Sequence, residues 1–348
     1  LITSQFPALE PYGLSAVHQD LLPAGTEPAR VIRHDGTTLL AMTATGPRVV
    51  RNSARLDPQP TVGDWLAIRL TPGSDEARVD QVLPRSSLLR RQSADETGAQ
   101  ALAANVDLVL ITCGVDRPIR AGRIQRIAAQ AWDAGATPVL VLTKAGGSGS
   151  VGLDLPRLEL EHPGLQVLVT SALEAIGLAE IRDLLAGRTA VLLGESGAGK
   201  STLTNVLLGR EAAATGTVRT GDAKGRHTTT ARQLHLLPGP GGGVLIDTPG
   251  LRSVGLVADS DAVDATFAEI PDLAMGCRFV DCAHLTEPGC AVMAALESGE
   301  LARERYESWR RLQREVASAA LRSSPHELRR YGKQFSRMAK EASVRKRS

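Results

Sequence analysis

The sequence predicts an α/β fold, a parallel sheet wound with helices, carrying a small β-barrel ahead of it and a short helical segment behind. Three observations predict it. Between residues 106 and 208, apolar runs of strand length alternate with stretches of helical spacing. Between residues 29 and 83, short β-like runs are separated by turn residues. Between Cys277 and Cys290, three of the four cysteines crowd around a histidine.

Composition sets the limits. A chain of 348 residues with 43% hydrophobic content can bury a core in each of two or three domains, and with aromatics at 3% those cores must rest on Leu, Val, Ile and Ala. No apolar run reaches the roughly eighteen residues of a membrane span, and the N-terminus lacks a basic region followed by an apolar one. The expectation is a soluble, cytoplasmic, monomeric protein with no membrane partner. A net charge of +2 implies no polyanionic partner by itself, but the basic residues collect at the C-terminal end.

Residues 1 to about 26 carry little pattern, and Pro7, Pro11 and Pro23 argue for an irregular arm. The β-like runs are Ala29 to Arg33, Thr37 to Met42, Arg48 to Asn52, Trp65 to Leu70 and Ala77 to Leu83. Five short strands suggest a small closed barrel, for which an OB-fold is one economical answer. A β-domain that binds nothing is the alternative, because basic residues such as Arg30, Arg33, Arg48, Arg51 and Arg55 are common on any solvated sheet.

Leu88 to Ser93 reads as a linker, and after it the rhythm becomes strand, helix, strand, helix. Strands are expected over Val106 to Cys113, Thr137 to Lys144, Leu165 to Ala172 and Thr189 to Leu193, with helices over Arg120 to Ala134 and about Leu178 to Ala186. In such sheets ligands sit beyond the C-terminal ends of the strands, so those ends are read first.

The most informative end is Gly194-Glu195-Ser196-Gly197-Ala198-Gly199-Lys200-Ser201-Thr202, which follows a strand and opens a helix. Its glycines let successive N–H groups converge on one spot, and the helix adds its positive end, so it is a phosphate-binding loop. Lys200 can reach β- and γ-phosphates, and the Ser201 hydroxyl can take a Mg²⁺ position. Downstream, the apolar run Val244 to Ile246 closes on Asp247-Thr248-Pro249-Gly250, where Asp247 could hold Mg²⁺ through water and the Gly250 N–H could sense a γ-phosphate. Between them lies the polar stretch Gly225-Arg226-His227-Thr228-Thr229-Thr230, whose hydroxyls could reach the metal and the γ-phosphate. Thr143-Lys144 and Ser171-Ala172 end two earlier strands.

These five elements resemble the nucleotide-contact motifs of a GTPase, with the base-reading pairs Thr143-Lys144 and Ser171-Ala172 placed before the phosphate loop instead of after it. With the barrel ahead and the cysteine cluster behind, the chain closely resembles the RsgA (YjeQ) family of circularly permuted small ribosomal subunit biogenesis GTPases, from about Ala29 to about Phe335. The resemblance implies a circularly permuted P-loop GTPase core of α/β class with an N-terminal OB-type β-barrel and a C-terminal zinc-containing α-helical domain. The expected divisions are 1–95, 96–256 and 257–348. It implies hydrolysis of GTP to GDP, with the small ribosomal subunit and its rRNA as partners, the RNA stimulating hydrolysis. Ser201, Thr229 and Asp247 would hold Mg²⁺, the choice of Thr229 over its neighbours being arbitrary. Permutation would place the C-terminal part directly after the Asp247 switch, so nucleotide state could reposition it.

Two departures stand out. Guanine selection in this family's relatives uses an Asp at the fourth position of [NT]-K-x-D, and here the reading is Thr143-Lys144-Ala145-Gly146. Asp154 in the following loop is either a substitute for it or simply a solvated acid. Leu251 stands where Ras-like enzymes place a water-orienting Gln, which leaves His227 as a candidate to approach the attacking water, or as an exposed residue touching RNA.

Cys277, Cys282, His284 and Cys290 supply three thiolates and an imidazole, a donor set that suits tetrahedral structural Zn²⁺. Cys113 has no sequence partner and is expected to be buried. From Leu301 to Ser318 the spacing of Leu301, Tyr306, Trp309, Leu312 and Val316 is helical, and from Arg329 onward basic residues are opposed only by Glu341, which favours RNA contact. Two other readings stay open: a P-loop NTPase with relaxed base specificity, and an RNA-binding assembly factor whose nucleotide site is degenerate.

Overall fold

The computed structural model describes residues 5–35, 38–51, 56–70, 76–92, 99–146, 153–210, 232–239, 241–247 and 260–323. The chain forms two compact units, residues 1–90 with 101–254, and residues 91–100 with 255–348.

The first unit opens on a 3-10 helix at Pro7–Tyr12 and a short helix α1 at Ala16–Asp20, where the prolines had suggested an irregular arm. Leu9 and Leu14 are buried there against Trp65, Ala67 and Leu83, in a cluster apart from the one that Leu66 and Ile68 join. The barrel strands are β1 (Glu27–Asp35), β2 (Thr38–Thr43), β3 (Gly46–Arg51), β4 (Trp65–Leu70) and β5 (Glu76–Val82), within a few residues of the five expected runs. Their alternation puts Leu39, Ala41, Ala77 and Val79 inside. Pairing runs β1–β2–β3–β5–β4 and closes through β4 on β1, with Glu27 opposite Ile68 and Arg30 opposite Trp65. Closure leaves no free edge on these strands.

The expected linker is instead the first arm of a hairpin, β6 (Leu88–Gln92) with β7 (Ala99–Ala104). Arg90 and Arg91 made the stretch look solvated, whereas Leu89 is 3% exposed and belongs to the core.

The parallel sheet follows: β8 (Leu108–Gly114), α2 (Ala121–Asp133), β9 (Thr137–Thr143), α3 (Leu155–Glu161), β10 (Gln166–Val169), α4 (Leu178–Leu185), β11 (Thr189–Gly194) and α5 (Lys200–Leu208). Two further strands, β12 (Arg232–Leu236) and β13 (Val244–Asp247), complete it in the order β10-β9-β8-β11-β13-β12. Helices cover both faces, Ile124 and Ala128 of α2 packing on one side and Ile181, Leu203 and Leu207 of α4 and α5 on the other. Strand β12 was not legible in the sequence. It runs antiparallel to both β13 and β1, with Arg33 opposite Gln233, so the sheet continues into the barrel.

Arg30 stitches that junction. Its side chain, 2% exposed, donates to the carbonyls of Tyr12, Gly63 and Asn105 and to Thr189 Oγ1 at 2.9 Å. Burial pulls it down to about 10, which still leaves it charged. Asp64, fully buried beside it, accepts from Arg85 Nε at 2.7 Å, Arg85 Nη2 at 2.8 Å and the Thr61 N–H at 2.7 Å. Burial outweighs these partners and lifts the Asp64 carboxyl above its ordinary value, so the pair specifies geometry more than it adds net stability. Breaking it is another matter, because Arg85 would keep a half-buried charge with the carboxylate gone and the Gln59 carbonyl left as a neutral acceptor. Asp64→Ala is expected to cost about 3 kcal/mol in urea unfolding monitored on the first unit, and a loss below about 1 kcal/mol would contradict this.

The second unit contains α6 (Ser260–Thr266), α7 (Glu269–Ala274), α8 (Ala291–Ser298) and α9 (Arg303–Ser323). Leu301, Tyr306 and Leu312 are buried as their spacing implied. Asp264 ties α6 to α9 by accepting from Trp309 Nε1 at 2.9 Å and Gln313 Nε2 at 2.7 Å. Arg305 pairs with Glu269 and stacks 4.5 Å from the Phe267 ring centroid.

Candidate functional site

The loop from Gly194 to Gly199 joins the central strand β11 to α5, and its shape depends on residues without a Cβ. A Cβ at Gly194 would fall on the Thr112 carbonyl of the neighbouring strand, so only glycine lets β11 and β8 approach at this point. Gly199, the residue before α5, holds φ +83, a left-handed conformation that turns the loop into the helix. Lys200 begins that helix and folds back over the loop, donating from Nζ to the carbonyls of Gly194 at 2.8 Å and Glu195 at 2.6 Å. Ser201 and Thr202 lie half-buried in the first turn, Ala198 is buried, and Ser196 and Gly197 are exposed at the tip. Glu195 is ion-paired with Arg123.

Asp247 ends β13, which runs parallel to β11, so it lies at the same edge of the sheet as the loop. Thr143 and Ser171 come to that edge too. Thr143, 4% exposed, donates from Oγ1 to the Ala198 carbonyl at 2.6 Å and to the Cys113 carbonyl at 3.3 Å, so it braces the phosphate loop. The Ala145 N–H donates to the Thr170 carbonyl at 3.0 Å, which fastens the ends of β9 and β10 together beside Ala172. His227, Thr229 and Gly250 lie outside the described residues.

Asp154 is the N-cap of α3, accepting from the Arg157 N–H at 3.0 Å, so it is committed to a helix end. Cys113 is half-buried, and burial pushes its thiol up to about 11.

Asp116 and Arg117, which follow β8 and reach the same edge, carry no local motif that marks them. Arg117 donates to the carbonyls of Ser196 at 3.2 Å and Gly197 at 3.3 Å. Asp116 accepts from Arg117 and from Lys144 Nζ at 2.8 Å, and hydrogen bonds from Arg117 first and Lys144 second hold its carboxyl down at about 2. A carboxylate depressed in the folded state supports this linkage fully above its ordinary value of 3.8, and the support is lost as pH falls through about 2. In a carboxyl-carbon NMR titration, Arg117→Ala should move the Asp116 midpoint up toward 3.8. An unchanged midpoint would refute the pairing.

A family model described as RsgA GTPase matches residues 82–257. The chain is 46% identical over 301 residues to the small ribosomal subunit biogenesis GTPase RsgA of Streptomyces coelicolor, covering 84% of this chain and 81% of that protein. The chain belongs to the RsgA GTPase family. To RsgA 2 of Vibrio parahaemolyticus it is 39% identical, covering 88% of this chain and 84% of that protein. Among solved structures, YjeQ from Thermotoga maritima matches with a TM-score of 0.61 at 24% identity, covering 84% of this chain and 99% of that one. YloQ, described as a circularly permuted GTPase, matches at 0.61 and 20% identity, covering 85% and 96%. At these identities the structures share the fold. That fold is the permuted core with its five-stranded barrel, and the strand ends at Lys144 and Ala172 precede the phosphate loop in this chain as a permuted order requires.

In the second unit, the Cys277, Cys282 and Cys290 Sγ atoms and a ring nitrogen of His284 all lie within 4.8 Å of one another. Cys277 Sγ is 3.9 Å from Cys290 Sγ, and His284 Nδ1 lies 3.5 Å and 3.4 Å from Cys277 and Cys290. A tetrahedron with metal–sulfur bonds of about 2.3 Å has edges of about 3.8 Å, so this donor set fits a metal ion of that kind. Glu287 shapes the loop by accepting N–H bonds from Leu285 at 2.7 Å, Thr286 at 3.0 Å and Ala283 at 3.1 Å, which flank His284. The Tyr306 hydroxyl donates to the His284 carbonyl.

Proposed function

We propose that this chain hydrolyses GTP to GDP and phosphate, and that it acts on the small ribosomal subunit late in its assembly. The observation that carries the reading is the phosphate loop: a family-typical loop on the central strand, glycine-shaped, with Lys200 poised over it. The names of the relatives supply the ribosomal role.

Entry of a triphosphate would replace the Gly194 and Glu195 carbonyls on Lys200 with β- and γ-phosphate oxygens, while the loop N–H groups and the α5 N-terminus take the remaining charge. Mg²⁺, when bound through Ser201, Thr229 and Asp247, would neutralise charge between the β- and γ-phosphates. Gly250 would sense the γ-phosphate and His227 would approach the attacking water. Thr143, Lys144, Ser171 and Ala172 would border the base. We assign the Cys277, Cys282, His284 and Cys290 cluster to structural Zn²⁺, since four protein donors leave no open position. We further assign the protein to the cytoplasm as a monomer, its barrel, core and zinc segment serving as three functional parts, with the tail from Arg329 onward on rRNA.

The test is phosphate release from GTP by the full chain with and without purified small subunits. Slow release alone and a large stimulation by subunits are expected. Absence of phosphate in both cases would overturn the enzymatic reading.

A further inference from the structure

Gly146 stands where a guanine-reading carboxylate is missing from the Thr143-Lys144-Ala145-Gly146 run, yet a carboxylate is present at that place. A Cβ built on Gly146 would fall within the carboxylate of Glu174, with Oε2 only 2.8 Å away and Oε1 and Cδ closer still. The side chain of Glu174 therefore occupies the volume that a side chain on residue 146 would enter. Glycine at 146 leaves Glu174 this room, whereas a larger residue there would require the Glu174 side chain to swing away.

Glu174 is positioned by its own turn. Ser171 and Ile176 exchange two backbone hydrogen bonds of 3.0 Å, the Ser171 hydroxyl accepts the Glu174 N–H at 3.3 Å, and Ala175 closes the turn at φ +56. The neighbouring bond from Ala145 N–H to the Thr170 carbonyl fixes this turn against the end of β9. Among the described residues, the Glu174 side chain has neither an ion pair nor a hydrogen bond, and it is exposed at the ligand edge of the sheet.

We propose that Glu174, reaching across from the turn after β10, is the residue that selects guanine in this chain, an inference that rests on the reading of the protein as a triphosphate hydrolase. An ionised carboxylate offers only acceptors. Guanine presents its ring N1–H and exocyclic N2 amine side by side, two donors that match the two carboxylate oxygens. Adenine presents an amine beside a ring lone pair, so one oxygen would face a lone pair. Glu174 thus favours the first base and disfavours the second, the second effect being as useful for specificity as the first.

The test is competition of GTP, ATP and xanthosine triphosphate for the full chain, with thermal melting to confirm that each variant is folded. The wild-type protein should prefer GTP over ATP by about a hundredfold or more. Glu174→Ala should bring GTP down to near ATP while leaving ATP affinity unchanged. Glu174→Gln should shift preference toward xanthosine triphosphate, because the amide N–H can meet the carbonyl that replaces the guanine amine. The double variant Gly146→Asp with Glu174→Ala should regain guanine preference from the other side of the same space. Retention of the wild-type GTP-to-ATP ratio in both Glu174 variants would overturn the proposal, as would equal binding of GTP and ATP by the wild type. Failure of the wild type to bind any triphosphate would instead remove the functional reading beneath it.

Discussion

Removing metal from the cysteine cluster is expected to unfold the second unit while the first stays folded. Helices α6 and α7 are short, and among the described residues the larger buried apolar groups in this part are Val263, Phe267, Ile270, Val292, Leu296, Leu301, Tyr306 and Leu312. So small a core cannot offset the entropy of ordering the loop between Cys277 and Cys290 unaided, whereas structural zinc in small domains contributes an apparent ~10–16 kcal/mol near neutral pH. Cys290→Ser separates the metal effect from a capping effect. Cys290 Sγ accepts the Met293 N–H at 3.4 Å as the N-cap of α8, and serine caps helices well but is a poor ligand for a soft site. The variant should therefore lose the metal, with helical circular dichroism falling by the share of α6 to α9 and no melting transition left for the second unit. Metal analysis of the wild type should give about one zinc per chain. A chain freed of metal with unchanged helicity and melting would exclude this account.

Lys200→Ala is the second large effect. In the proposed reaction the ammonium meets charge on the transferring phosphoryl group in a partly buried loop, where such donors are worth about 3–4 kcal/mol in the transition state. The expected loss in kcat/KM for GTP is roughly 10²- to 10³-fold. Stability should change little, because the Gly194 and Glu195 carbonyls that accept from Lys200 can be served by solvent instead. Activity within about threefold of the wild type would take Lys200 out of the mechanism.

The first effect acts through folding and the second through chemistry, and circular dichroism separates them. Cys290→Ser should alter the spectrum strongly, and Lys200→Ala should leave it as it was.

Much of the architecture was legible because its signals are local. Short β-like runs between turn residues marked the barrel strands now at Thr38–Thr43 and Glu76–Val82, apolar runs marked the buried strands at Leu108–Gly114 and Thr189–Gly194, and the glycines of the Gly194 to Thr202 run marked the turn from strand into helix. The cysteine spacing named its four donors in the same way. The short strand Arg232–Leu236 escaped because only Leu234 and His235 are buried in it, too few to set a period. The hairpin at Leu88 escaped because two arginines hid a core leucine.

What only tertiary structure decided are meetings between residues far apart in the chain. Closure of β4 on β1, the reach of Arg30 to Thr189, the hold of Arg117 on Gly197 and the place of Glu174 beside Gly146 leave no local pattern, since each side chain is ordinary in its own segment. Sequence periodicity records which way a residue faces along its own element. Which partner it meets depends on how elements are brought together, and that is settled by the burial of their apolar faces against one another.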